Sequence, residues 1–185
     1  MRHVSSLLCV IAAAVLAGGC WQSSGSLYGD TPSVMPFQPG VVTGIAPDGK
    51  VTHYSLTRTA SAYRLIVTDK GDGFGEGFEL RFFPLSGLQR YMFVYEAVSL
   101  DHCNGVRGCD PIAADDPRYY GLVRARMHGA DEIRPDCRKD AAATAPFGVR
   151  PDKSDVCNFA DRETLEKSLR ALRGKKPEFR YELAD

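Results

Sequence analysis

Phe78-Glu79-Leu80-Arg81-Phe82 alternates apolar with charged side chains, a period of two that is typical of a strand with one buried face. The preceding run Tyr63-Arg64-Leu65-Ile66-Val67-Thr68 is rich in the β-branched and aromatic residues that favour strands. A long run of the same kind, Tyr91 to Leu100, follows. Three such segments in close succession predict an antiparallel sheet at the centre of the chain.

Further strand patterns lie on both sides of this centre. They occupy residues 41–45, 51–59, 119–127, 132–134 and 178–183. The first two are joined by Pro47-Asp48-Gly49-Lys50, and the Asp-Gly pair predicts a hairpin turn. The sheet is therefore expected to contain about six to eight strands.

The clearest helical pattern runs from Asp161 to Arg173. Asp161 is a suitable N-cap, and Leu165, Leu169 and Leu172 fall on one face at helical spacing. The sequence thus predicts an α+β fold, in which one C-terminal amphipathic helix packs on an antiparallel β-sheet and two disulfides brace the domain.

The N-terminus carries an export pattern. A charged start, Met1-Arg2-His3, precedes an apolar run from Val4 to Ala17 that is too short to span a bilayer. The run ends in Leu16-Ala17-Gly18-Gly19-Cys20, and the segment 1–20 resembles a bacterial lipoprotein signal. The resemblance implies that Cys20 is acylated and becomes the mature N-terminus, which would anchor the protein stably to a membrane. An ordinary secreted protein is the alternative.

The resemblance also implies a location and a domain layout. Trp21 follows the lipidation site where Asp would favour inner-membrane retention, so the outer membrane, facing the periplasm, is predicted. The predicted layout is a signal peptide over residues 1–19, a flexible tether over 20–40 and a single globular domain over 41–185. The tether prediction depends on the Ser, Gly and Pro content after Cys20.

The chain has six cysteines, of which Cys9 leaves with the signal and Cys20 carries lipid. The remaining four predict two disulfides in an oxidising compartment, with three possible connectivities. The shortest loops favour Cys103–Cys109 and Cys137–Cys157. A zinc site is the alternative, but the spacing is wider than the close pairs of structural zinc sites.

No familiar catalytic pattern is present. His-Glu-x-x-His and Gly-x-Ser-x-Gly are both absent, and the acidic loop 69–79 departs from the calcium-loop pattern. A polar cluster at 110–120, which includes Asp116, Arg118, Tyr119 and Tyr120, is interpreted as a surface loop. No cofactor and no metal are predicted.

Charge excludes one class of partner. The chain has 23 basic and 23 acidic residues, so no basic excess suggests nucleic acid. The leading hypothesis is a lipid-anchored, non-enzymatic interaction or structural module in the periplasm that contacts another envelope protein. The alternative is an inhibitor or sensor of envelope lytic enzymes that acts through the Cys103–Cys109 loop and Arg107. A hydrolase of wall material ranks third.

Overall fold

The fold was determined from a computed structural model of the chain. The structure describes residues 20–68, 74–85, 87, 91–104 and 112–184. The strands are β1 (Trp21–Ser24), β2 (Gly40–Ile45), β3 (Val51–Arg58), β4 (Tyr63–Val67), β5 (Phe74–Pro84), β6 (Met92–Asn104), β7 (Pro117–Arg126), β8 (Gly129–Ile133), β9 (Cys157–Asn158) and β10 (Phe179–Leu183). The helices are α1 (Ala141–Thr144) and α2 (Arg162–Ala171), with a 3₁₀ turn at Ala145–Phe147.

Eight of these strands close into an antiparallel barrel. Their order around the barrel is β6-β5-β4-β3-β2-β10-β8-β7, and β7 pairs with β6 to complete the circle. The C-terminal strand β10 makes closure possible, because it pairs with β2 on one side, at Leu183–Val42, and with β8 on the other, at Tyr181–Ala130. Strands β1 and β9 lie outside the circle, since β1 adds to β7 and β9 pairs in parallel with β1.

The predicted α+β fold is therefore wrong. The sheet closes on itself, ten strands are present in the described residues, and the fold is mostly β. The ten-residue helix α2 packs on the outside of the barrel, and closure means that the main core lies within the sheet rather than between a sheet and a helix. The predicted hairpin at residues 41–59 is confirmed as β2–β3, and Asp161 is confirmed as the N-cap of α2, its Oδ1 accepting from the Thr164 N–H at 2.8 Å.

Two hydrophobic cores lie on opposite faces of the barrel wall. The inner core contains Val42, Leu56, Tyr63, Leu65, Phe82, Val123 and Ala130. The outer core lies between β5–β8 and the long connection 134–178, which we call the outer shell. This core includes Leu122 and Ile133 of the barrel and Leu165, Leu169 and Leu172 of the outer shell. Because these strands are covered on both faces, outward positions such as Ile133 are as buried as inward ones.

The two ends of the barrel differ. Residues 34–37, which we call the plug, cover the end at which β2, β4, β6 and β8 begin. Val34 bridges to Phe82, and the Phe37 ring packs against the Phe82 ring at 5.1 Å between centroids. The Tyr63 hydroxyl donates to the Phe37 carbonyl at 2.7 Å and accepts from the Phe37 N–H at 3.0 Å. The plug therefore closes the inner core at this end of the barrel.

Residues 20–40, for which composition predicts a flexible tether, contact the barrel in the structure. Trp21 is 1% exposed within the outer core, and the Tyr28 ring stacks on Phe83 with 3.9 Å between centroids. A buried polar network also holds this segment. The Leu27 N–H donates to the Tyr120 hydroxyl at 3.1 Å, and the Ser26 hydroxyl donates to the Glu96 carboxylate at 2.7 Å.

One of the two predicted disulfides is present in the described residues. Cys137 and Cys157 are bonded and fully buried, and they join the start of the outer shell to β9. The predicted Cys103–Cys109 bond lies outside the described residues, because Cys109 falls in an undescribed stretch. The helices of the described residues are all too short to cross a membrane.

Candidate functional site

The barrel interior contains a cavity of about 860 Å³. Its wall is mainly aliphatic and aromatic, with Leu65, Val67 and Leu80 on one side and Ala97 and Val123 on the other. Eight strands are the size of barrel that can hold one small ligand, and the volume falls within the range of small-molecule pockets. We therefore treat this cavity as the candidate site.

A charged cluster interrupts the apolar wall. Glu132 and Arg134 lie two positions apart on or just beyond β8, so alternation directs both side chains inward. Arg134 forms a bidentate pair with the carboxylate: Nε donates to Oε1 at 3.2 Å and Nη2 donates to Oε2 at 3.1 Å. The guanidinium also lies over the Phe179 ring, 4.0 Å from its centroid. Packing and charge together fix its position.

Two tyrosines complete the shell of Glu132. The Tyr95 hydroxyl donates to Oε1 at 2.6 Å, and the Tyr181 hydroxyl donates to Oε2 at 2.7 Å. Burial first, and the neighbouring carboxylate next, raise the pKa of both hydroxyls well above their ordinary value. Burial alone would raise the pKa of Glu132, but the Arg134 charge and the two hydroxyl donors outweigh it and lower that pKa. The cluster therefore contains an ionised carboxylate that is buried and fully hydrogen-bonded by protein groups.

Two glycines in the strands leave room for the tyrosine rings. Gly121 lies directly opposite Tyr95 across β6 and β7, and a Cβ at Gly121 would come within 2.6 Å of the Tyr95 hydroxyl oxygen. A Cβ at Gly44 would lie 2.7 Å from the Tyr54 ring and 3.3 Å from the Tyr181 ring. The rings therefore lie against bare backbone, which explains why glycine occurs in the middle of two strands, where it otherwise weakens the sheet.

Cys20, the predicted lipidation site, belongs to the same wall. It is 8% exposed and lines the cavity, and its carbonyl accepts from the Cys157 N–H at 3.0 Å. Burial raises the pKa of its thiol, an effect that the nearby Arg134 charge only partly offsets. The neighbouring residue Trp21 also lines the cavity, and its buried Nε1–H has no hydrogen-bond partner within the described part of the chain.

Few of the other residues singled out in the sequence reach this cavity. Of the polar cluster at 110–120, Asp116, Tyr119 and Tyr120 border it, and the Tyr120 hydroxyl also donates to Glu96 of the outer network at 3.1 Å. Asp116 accepts from the Ala113 N–H at 2.6 Å in a turn. Among the described residues, no group of three or more His, Cys, Asp or Glu side chains is arranged to hold a metal ion. Arg107, the candidate inhibitory residue, lies outside the described ranges.

Sequence reasoning missed the Glu132 cluster. The run Glu132-Ile133-Arg134 predicts a short return strand, and its pattern alone assigns no role to the two charges. In the structure the outer shell buries Ile133, and the charges lie on the inner face. The available signal was an acid and a base of opposite charge at alternate strand positions.

Comparisons of the chain with protein-family models, curated proteins and solved structures found no match. The site is therefore interpreted from its geometry.

Proposed function

We propose that this chain is a non-enzymatic binding protein of the bacterial cell envelope and that its barrel holds one small, largely apolar molecule. The observation that carries the proposal is the cavity of about 860 Å³ inside a closed barrel. Transfer of an apolar ligand from water into such a site is favourable by roughly 25 cal/mol for each Å² buried. A cavity of this kind supports reversible binding without any chemical step.

The electrostatics of the cluster support binding rather than catalysis. A general acid or base works best with a pKa near the operating pH. The pKa of Glu132 moves away from that range, and the pKa values of Tyr95 and Tyr181 move further from it in the other direction. These groups are therefore suited to hold their charge state, which favours a fixed polar end of a binding site.

The envelope location depends on the export signal and on Cys20 as the proposed site of acylation. The Cys137–Cys157 bond supports this location, because disulfides persist in oxidising compartments. Cys20 leads directly into β1, so an anchor there would leave no spacer and would hold the barrel against the bilayer. Because the Cys20 side chain is buried once β1 is docked, we place acylation before docking.

The experiment uses the full chain with Cys20→Ser, so that no attached lipid competes for the cavity. It is titrated with N-phenyl-1-naphthylamine, an uncharged fluorophore whose emission rises in apolar surroundings. We expect saturable binding of one probe per chain. Ala97→Phe, which adds a ring to the cavity wall, should weaken binding by more than about tenfold.

The matched control is Val41→Phe, which adds the same ring on the outside of β2, where Val41 is 55% exposed. This variant should bind the probe as well as its parent. The absence of saturable binding, or equal binding by the Ala97→Phe variant, would show that the cavity is not a ligand site.

A further inference from the structure

The polar end of the cavity has no acceptor capacity left. An ionised carboxylate offers about four lone-pair positions. Glu132 already accepts four hydrogen bonds, one each from Tyr95 and Tyr181 and two from Arg134, at distances between 2.6 and 3.2 Å. A ligand group that can only donate hydrogen bonds finds no position on this carboxylate.

Donors remain at the same end. A guanidinium has five N–H groups, and the bonds described for Arg134 use one on Nε and one on Nη2, both to Glu132. Arg134 lines the cavity, and its side chain keeps 26% of its surface exposed, so its remaining N–H groups can be reached by a ligand acceptor. The Trp21 Nε1–H is fully buried and is not one of these donors.

The remainder of the wall indicates the rest of the ligand. Leu65, Val67 and Leu80 line the cavity and offer no hydrogen bonds from their side chains. The charges of Glu132 and Arg134 neutralise each other, so the donors do not require a charged ligand. A cationic head group would meet the Arg134 guanidinium and a saturated carboxylate.

From this imbalance we infer that the ligand is an apolar chain or ring system with a carbonyl-type acceptor, a carboxylate or an ester, that docks against the Arg134 guanidinium. The inference rests on the proposed function and specifies the ligand class of the same cavity.

The test measures displacement of N-phenyl-1-naphthylamine from the full Cys20→Ser chain by four ligands of equal chain length: dodecanoic acid, methyl dodecanoate, dodecylammonium and dodecane. One hydrogen bond to a charged donor, at about 1.5–3 kcal/mol, corresponds to roughly a tenfold or larger preference. We therefore expect the acid and the ester to displace the probe at concentrations at least about tenfold lower than the ammonium or the alkane. The acid and ester arms separate a charged from a neutral acceptor.

Arg134→Lys tests the guanidinium, since it keeps the positive charge beside Glu132 and removes the planar fork of N–H groups. Loss of one hydrogen bond should weaken ester binding by about threefold to tenfold and leave dodecane binding unchanged. Tyr28→Phe is the matched control, because it removes a buried polar group of the outer core that does not line the cavity. It should leave the binding of all four ligands unchanged.

The outcomes separate the two proposals. Equal displacement by the ammonium and the acid, or unchanged ester binding by the Arg134→Lys variant, would overturn the inference and leave the cavity as a general apolar site. If none of the four ligands displaces the probe and the probe itself does not bind, the proposed function fails and the inference fails with it.

Discussion

A buried ion pair is stable only when its charges keep most of the solvation that water gave them. Glu132 is 5% exposed, and removal of such a charge from water costs several kcal/mol. Four hydrogen bonds offset that cost, and the Phe179 ring supports the partner guanidinium. The members come from β6, β8 and β10, so the cluster forms only when these strands are in their final positions.

We predict that Glu132→Gln destabilises the fold by about 3–5 kcal/mol, because it leaves the Arg134 charge buried without a counter-charge. The measurement is urea unfolding at neutral pH. Glu163→Gln is the control: Glu163 pairs with Lys167 on the exposed side of α2, where a surface pair contributes at most about 1 kcal/mol. Equal losses in the two variants would contradict a special role for the cluster.

A comparison of the wild type with Glu132→Gln also tests a prediction about pH. The pKa of Glu132 is lower in the fold than its ordinary value of about 4.3. Its stabilising contribution is therefore fully present above that value and is lost as the pH falls through the folded pKa. The stability difference between the wild type and Glu132→Gln should shrink between pH 5 and pH 2. A difference that stays constant over this range would show that Glu132 does not titrate as described.

Local sequence patterns predicted most elements, but not the short strands that depend on pairing with distant residues. The strands around 41–59, 63–68, 78–82 and 91–100 have period-two or β-branched patterns, and the structure confirms them as β2 to β6. Strands β1 and β9 were missed because they are four and two residues long and have no alternation of their own. β1 is a strand because it pairs with β7, and β9 is a strand because it pairs with β1, with Trp21 opposite Cys157.

The disulfide is the covalent support of these two short strands. It joins Cys137 to Cys157 across a sequence separation of 20 residues, and a loop of that size corresponds to about 3 kcal/mol of chain entropy. We predict that the double variant Cys137→Ser/Cys157→Ser loses about that much stability in urea unfolding and that amide hydrogen exchange increases first in β1 and β9. A uniform increase in exchange over the barrel would show that the disulfide does not act mainly on β1 and β9.

Closure of the barrel could not be predicted from the sequence, for a physical reason. An open sheet and a closed barrel have the same alternation along each strand and differ only in whether β10 finds both β2 and β8. The contact of Leu183 with Val42 joins the two ends of the domain, and no local periodicity encodes it. The two-sided burial of Leu122 and Ile133 has the same origin, because it depends on the outer shell that follows β8.

The shared wall between the two cores predicts cooperative unfolding. Leu169 of α2 is fully buried against the outer face of the strands whose inner face lines the cavity. Leu169→Ala should cost about 2–5 kcal/mol, with β8 and α2 amides showing the same loss of protection against hydrogen exchange. A loss of protection confined to α2 would instead identify the outer shell as a separately unfolding unit.

Trp21 is the single tryptophan of the chain, and it lies in the wall of the cavity. The protein therefore contains an intrinsic optical reporter at the position where β1, the outer core and the cavity meet. Its emission should shift to the red when β1 leaves the barrel, since the indole then enters water. A bound molecule beside the ring should change the emission intensity without that shift, so detachment of the N-terminal strand and occupancy of the barrel give distinguishable signals from unlabelled protein.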